Sequence, residues 1–219
     1  MISRYKALTD LPKNIPLFPL SGALLLPRSD LPLNIYEPRY VLMIEQAMTA
    51  NRIVGIIQPE QNEQGEKPKL ERIGCAGRIT SYSEADDGRL YVTITGICRF
   101  VVKRELRVDT TYRQAQVDFK PFAADLVMGT GAPSVNREQL LEAFRQYLEV
   151  NNMTTNWDDV NSVGTEALVN TLSLLAPYPP RDKQALLEAP DLKSRADVLV
   201  ALTELALKKS LGGNSTRIQ

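Results

Sequence analysis

The chain has 219 residues, 43% of them hydrophobic and 24% charged, and its 26 basic side chains are balanced by 26 acidic ones. That is enough apolar material for a core and length for one large domain or two small ones, which excludes wholesale disorder. Residues 1–120 carry 17 basic and 14 acidic side chains and the remainder 9 and 12, so strong general attraction to nucleic acid or an acidic membrane is not expected.

The first 120 residues read as β-rich. Ile15-Pro16-Leu17-Phe18-Pro19-Leu20 and Ala23-Leu24-Leu25-Leu26 are short apolar runs split by Ser21-Gly22, and Leu31-Pro32-Leu33-Asn34-Ile35-Tyr36 follows a polar turn. Proline cannot donate to a ladder, so these runs suggest edge strands or bulges. Pro38 suits the first turn of an inserted helix in which Tyr40, Ile44 and Ala47 recur at helical spacing, ending near Asn51. Ile53-Val54-Gly55-Ile56-Ile57 reads as a buried strand, and residues 58–69 as a loop. A hairpin is expected from residues 73–82 through Asp87-Gly88 to residues 89–95, because glycine accepts positive φ without steric cost. In its returning strand Leu90, Val92 and Ile94 should face a core and Tyr91, Thr93 and Thr95 should be more exposed. Residues 97–108 and 112–119 read as two further strands, so a small barrel or folded sheet is expected.

Residues 121–136 lack periodicity and read as a linker, with Gly129, Gly131 and Pro133. Residues 137–213 read as a helical subdomain. Leu140, Leu141, Phe144, Tyr147 and Leu148 form one apolar face, and Leu168, Leu172 and Leu175 a second. A short helix lies between Pro180 and Pro190, and a last one carries Val198, Leu202 and Leu205, with Gly212-Gly213 as its stop and residues 214–219 as a frayed tail.

The absences bear on chemistry. There is no histidine, which removes Ser-His-Asp and Cys-His devices and His-ligated metal centres. Gly-Lys never occurs, so there is no phosphate-cradling GxxxxGK[ST], and there is no GxSxG elbow. No catalytic, cofactor-binding or metal-ligating residue is expected. Cys75 and Cys98 are too few for a disulfide framework and read as small buried hydrophobes, which points to a reducing, cytoplasmic setting. The longest uncharged stretches, residues 14–27 and 167–180, are too short to cross a bilayer. Asp86-Asp87 and Asp158-Asp159 read as solvated turn residues rather than an acid–base pair. Arg99, Lys103, Arg104, Arg107 and Arg113 form a local basic concentration, expected to be a solvated strand face.

Taken in order, several short segments resemble the amino-terminal substrate-binding domain of Lon proteases. They are Ile15-Pro16-Leu17-Phe18-Pro19-Leu20, Leu26-Pro27, Leu31-Pro32-Leu33, Ile35-Tyr36-Glu37-Pro38-Arg39-Tyr40, Gly55-Ile56-Ile57-Gln58-Pro59, Gly74-Cys75-Ala76-Gly77-Arg78-Ile79, Asp87-Gly88-Arg89 and Thr95-Gly96-Ile97-Cys98-Arg99-Phe100, with Lys183-Gln184-Ala185-Leu186-Leu187-Glu188 and Arg195 later. The resemblance covers roughly residues 14–206. It implies an α+β architecture: a β-rich, PUA-like pseudo-barrel followed by an all-α helical bundle. It also implies a non-catalytic module of the kind found freestanding in bacteria, without ATPase or protease domains, serving in protein quality control. The expected partners are unfolded or extended polypeptides and, in addition, a separate protease. No cofactor and no membrane partner are expected, and the oligomeric state stays open. Tyr36, Tyr82 and Tyr91 are the candidate peptide contacts, because aromatic side chains supply contact area at modest entropy cost. The PUA-like fold leaves two alternatives, an RNA-binding protein using the basic strand and a small-molecule-binding domain.

Overall fold

The computed structural model describes residues 5–60 and 67–214, the last four by backbone alone. The chain folds into two compact units. The first comprises Met1–Met128 with Tyr178–Leu187, and the second Gly129–Pro177 with Glu188–Gln219.

The first unit is built on six strands among the described residues: β1 (Asn14–Pro19), β2 (Asp30–Ile35), β3 (Ile53–Ile57), β4 (Ile73–Glu84), β5 (Leu90–Glu105) and β6 (Arg113–Asp118). Their order is β2-β5-β4-β3-β1-β6, and β6 also pairs with β5. That last pairing, Val101↔Asp118 to Glu105↔Ala115, closes β5, β4, β3, β1 and β6 into a ring. All pairs are antiparallel except β1 with β3. Register shifts between Ala76 and Gly77, between Ile79 and Ser81, and between Val102 and Arg104 supply the bends that closure needs. The barrel expected from the run of short strands is therefore present, with β2 laid against the first half of β5 as an extension of the ring.

The core fills the ring. Leu17, Ile53, Ile57, Ala76, Ile97, Cys98 and Phe100 are buried, and Phe100 meets Phe119 edge-on at 6.2 Å between ring centroids. Helix α1 (Pro38–Thr49) begins at its proline and buries Tyr40, Met43, Ile44 and Ala47, the spacing expected of one apolar face. Phe18 stacks on Tyr40 at 4.3 Å.

Three local expectations are revised. β1, whose prolines suggested an edge strand, is paired on both sides, with β3 and with β6. Leu24, Leu25 and Leu26 are buried, but the segment is irregular rather than a strand. A four-residue apolar run cannot distinguish a buried strand from a buried coil. The two strands expected at residues 89–95 and 97–108 are one continuous strand, β5 (Leu90–Glu105), with Gly96 inside it. There the Leu24–Leu26 segment crosses the strand so closely that a Cβ on Gly96 would lie 2.0 Å from the Leu26 carbonyl oxygen. Two backbone bonds fasten the crossing: Arg28 N–H donates to Gly96 O at 2.8 Å and Gly96 N–H to Ser29 O at 2.9 Å.

The segment read as a linker holds two 3-10 turns, Lys120–Leu126 and Ala132–Ser134, and the first buries Phe122 and Asp125. Helix α5 (Pro180–Glu188) has most of its residues in the first unit. Gln58, 2% exposed, fixes it there: its Oε1 accepts from Gly22 N–H at 2.9 Å, while its Nε2 donates to Pro180 O at 3.0 Å and to Gln184 Oε1 at 3.1 Å. Gln184 in turn donates to Ile73 O at 3.1 Å.

The second unit consists of α2 (Arg137–Val150), α3 (Trp157–Ser162), α4 (Thr165–Leu175) and α6 (Leu192–Asn214). Asn136 caps α2, accepting from Gln139 N–H at 3.1 Å. Leu140 and Leu148 are buried on α2, and Leu168 and Leu172 on α4, as their spacing predicts, but Leu175, expected on the same face of α4, is 77% exposed at the end of the helix. Helix α3 is not visible in the apolar periodicity. It is held by Asn156 at its start and by Trp157 against Phe144, with ring centroids 6.5 Å apart. Gly212-Gly213 does not stop α6, which runs to Asn214, since a helical glycine costs only about 1 kcal/mol relative to alanine. Residues 215–219, most of the expected frayed tail, lie outside the described residues, as do residues 61–66 of the expected loop.

Candidate polypeptide-binding surface

β2, the first half of β5 and the last part of β4 form a three-stranded extension beside the ring. The three candidate tyrosines lie on or next to it. Tyr36 is 70% exposed just after β2, Tyr91 on β5 is 46% exposed and Tyr82 on β4 is 37% exposed. Tyr82 pairs with Val92, whereas Tyr91 pairs with Ser83 and Asn34. Paired residues share a face and neighbours along a strand alternate, so Tyr82 and Tyr91 stand on opposite faces. Leu90, Val92 and Ile94 are buried on the Tyr82 face, as the alternation predicts. Thr95 departs from the expected exposure: it is buried, donates to Asp30 Oδ1 at 2.5 Å and shares a hydrogen bond with Thr80 Oγ1 at 2.8 Å. Desolvation, then the Glu84 and Glu45 carboxylates, push the Tyr82 phenol above its ordinary pKa.

The hydrogen-bond phase of the extension decides which edges accept another strand. Ala85 N–H donates to Arg89 O at 2.8 Å, so Ser83–Tyr91 and Ser81–Thr93 are the bonded pairs. Tyr82 and Glu84 are then the non-bonded positions, and their N–H and C=O groups point away from β5. β3 pairs with β4 only as far as Arg78, and residues 80–84 are all exposed, so this stretch of β4 is an open edge among the described residues. On the other side, Gly96 N–H donating to Ser29 O sets the phase of β2. Asp30, Pro32 and Asn34 are its outward positions, and Pro32 has no N–H to offer. The proline that marked β2 as an edge strand thus sits where an added strand needs a donor.

The basic concentration is largely committed to partners. Arg99, 3% exposed, makes a two-pronged contact with Asp125, Nε to Oδ2 at 2.9 Å and an NH2 group to Oδ1 at 2.8 Å. It also donates to Leu187 O at 3.0 Å and lies 4.3 Å from the centre of the Phe122 ring. Lys103 pairs with Asp118 at 3.0 Å, Arg113 Nε with Glu105 at 2.8 Å, and Arg104 Nε donates to Gln116 at 3.1 Å. The carboxylate pairs do not converge either. Asp87 binds Arg89 at 2.6 Å, a hydrogen bond that lowers its pKa, and Asp158 and Asp159 occupy the first turn of α3. Cys75 and Cys98 are fully buried, and burial, with Asp125 nearby, keeps the Cys98 thiol protonated far above its ordinary range. Among the described residues no three His, Cys, Asp or Glu side chains gather as a metal site, and no helix is long and apolar enough to cross a membrane.

Two open clefts lie on the surface of this unit. One of about 740 Å³ is lined by Glu37, Pro38, Arg39, Leu42, Lys67 and Thr111. The other, of about 580 Å³, lies between residues 8–13 and 116–120. Sequence reasoning passed over residues 5–13. The signal was Leu8 and Leu11 with Asp10 between them, whose carboxylate accepts from the N–H groups of Lys6 and Ala7 at 2.8 and 2.9 Å.

Comparison with known proteins places this architecture. The family model of the ATP-dependent protease La (LON) substrate-binding domain matches residues 14–204. The Lon protease of Desulfosudis oleivorans is 32% identical over 114 residues, 49% of this chain and 14% of that protein. The Lon protease of Bacillus thuringiensis is 25% identical over 208 residues, 90% of this chain and 26% of that protein. The chain thus spans about a quarter or less of the Lon proteases it matches. The fold is shared with a Lon N-terminal domain protein from Xanthomonas campestris (TM-score 0.62, 20% identity, 87% of this chain and 98% of that one). It is shared equally with the N-terminal domain of the Mycobacterium avium complex Lon protease (TM-score 0.64, 17% identity, 88% and 98%). With the family model covering most of its length, the chain belongs to the Lon substrate-binding domain family.

Proposed function

We propose that this chain is a non-catalytic module that binds extended or unfolded polypeptide by adding it as a strand to the open edge of β4. The observation that carries this reading is the outward direction of the Tyr82 and Glu84 backbone groups on an exposed, proline-free stretch of strand. Main-chain pairing reads no particular side chain, which suits a receptor for many unfolded sequences. Tyr82 flanks the edge and supplies aromatic contact area there. Tyr91 lies on the other face of the sheet and Tyr36 beyond the end of β2, so both would contribute to a neighbouring stretch of a longer bound chain. Family membership supports polypeptide as the ligand class, and a separate protease is the further partner we propose. The pairing of Arg99, Lys103, Arg104 and Arg113 with side chains of the same unit weighs against the RNA reading.

The test uses Glu84→Pro, which removes an outward N–H without breaking a bond to β5, and Tyr91→Ala. Binding of a fluorescently labelled, permanently unfolded polypeptide is read by anisotropy. Glu84→Pro should weaken binding about tenfold, the loss of one well-made hydrogen bond, while Tyr91→Ala should change it much less. Unchanged affinity in Glu84→Pro removes the β4 edge from the site. Binding of single-stranded RNA that weakens steeply with salt would favour the nucleic-acid reading instead.

A further inference from the structure

The cleft between residues 8–13 and 116–120 combines two features that the β4 edge lacks. Its floor is apolar: Leu11, Val117 and Phe119, each 6% exposed, belong to the barrel core, and Leu8 packs against that core. Phe119 is held by Phe100 and Val117 by its N–H bond to Lys13 O at 2.9 Å, so the floor is set by the fold rather than by a ligand. Around it stand Lys13, Lys103 and Lys120, with Asp118 as the one acidic residue of the lining. Asp118 is already engaged, accepting from Lys120 N–H at 3.0 Å and pairing with Lys103 Nζ at 3.0 Å. Three ammonium groups against one carboxylate leave the lining positive, although the whole chain is neutral. The volume, about 580 Å³, is within the range of sites that take side chains or small ligands.

From this juxtaposition we propose a second binding site, independent of the β4 edge, for an acidic amphipathic polypeptide segment whose apolar side chains enter the cleft while its carboxylates meet Lys13 and Lys120. An open cleft with Thr9 and Gln116 in its wall can pair with a peptide backbone as well as with side chains. A fatty anion would present a similar chemistry, and the experiment separates the two. Positive rim charge fixes the sign of the segment and its rate of capture more than the depth of binding, so affinity should fall as salt rises.

The experiment compares two labelled peptides, one joining Leu and Phe to Asp and Glu, the other identical except for Lys in place of each acid. Anisotropy is measured with the wild type, with Lys13→Glu/Lys120→Glu and with Glu84→Pro, each checked for native circular dichroism. The acidic peptide should bind at least tenfold more tightly than its basic counterpart, should lose at least tenfold in the lysine variant, and should bind Glu84→Pro normally. Equal binding of the two peptides, or an unchanged lysine variant, overturns the proposal. Displacement of a labelled fatty anion by dodecanoate, with no binding of the acidic peptide, also overturns it, in favour of a lipid-like ligand. Loss of acidic-peptide binding in Glu84→Pro alone would place that peptide on the β4 edge instead, so failure here and failure of the strand-addition reading give different results.

Discussion

Replacing Asp125 by alanine should be among the most damaging single changes in the first unit. Asp125 is 8% exposed and Arg99 3%, and their contact consists of two parallel charge-assisted bonds plus a third from Arg99 N–H to Asp125 Oδ2 at 3.0 Å. Without the carboxylate the guanidinium keeps the Leu187 carbonyl and the Phe122 ring but loses the charge of Asp125. Breaking one side of a buried pair in this way costs about 3–5 kcal/mol. Replacing both partners by apolar groups costs far less, so Asp125→Ala with Arg99→Met should recover at least about 2 kcal/mol of that loss. The assay follows thiol labelling of Cys75 and Cys98 across a urea series. Both are fully buried in this unit, so their labelling reports its opening and not that of the helical unit. A loss below about 1 kcal/mol, or a double variant no more stable than Asp125→Ala, would show that Arg99 reaches water, and the account of a sealed ion pair would fall.

Other outcomes follow from the same contacts. Gly96→Ala should destabilise the first unit by about 3 kcal/mol, seen in the same thiol assay, because the new methyl meets the Leu26 backbone rather than a movable side chain. Gln58→Leu should cost about 2 kcal/mol and speed proteolysis within α5, since Gly22 N–H loses its acceptor and the Pro180 carbonyl and Gln184 lose a donor. Asp191 caps α6 by accepting from Ser194 N–H at 2.7 Å, and that hydrogen bond lowers its pKa from 3.8. A depressed carboxylate stabilises the fold above its unfolded pKa and stops doing so as pH falls through its folded value. The gap in melting temperature between wild type and Asp191→Ala, about 1 kcal/mol of capping at neutral pH, should therefore close as pH is taken well below 3.8.

What could be read in the sequence was whatever repeats at short range. The alternation of Leu90, Val92 and Ile94, the helical spacing of Tyr40, Ile44 and Ala47, and Pro32 as a mark of an edge are local signals, and the structure places each accordingly. What stayed hidden depends on residues far apart in the chain. Arg99 looked like part of a basic face because its neighbours are basic, yet its partner is 26 positions away in a segment with no periodicity. The attachment of α5 rests on Gln58, 122 positions before Pro180. Which backbone groups of β4 point outward follows from the phase of a hairpin, and that phase is set by the Ala85–Arg89 bond rather than by any side chain. The lysine-rimmed cleft draws on residues from three separate stretches, Leu8 to Lys13, Lys103, and Gln116 to Lys120, so no motif announces it.

The position of Pro32 also limits valency. A β-sheet grows into a fibre only if each unit offers two compatible edges, one to accept and one to donate. Here the proline removes a donor from the outward row of β2, and residues 80–84 of β4 form an open edge of short length among the described residues. Two copies meeting through that stretch would use up the open edge on both and leave nothing there for a third, so pairing through this edge stops at two copies.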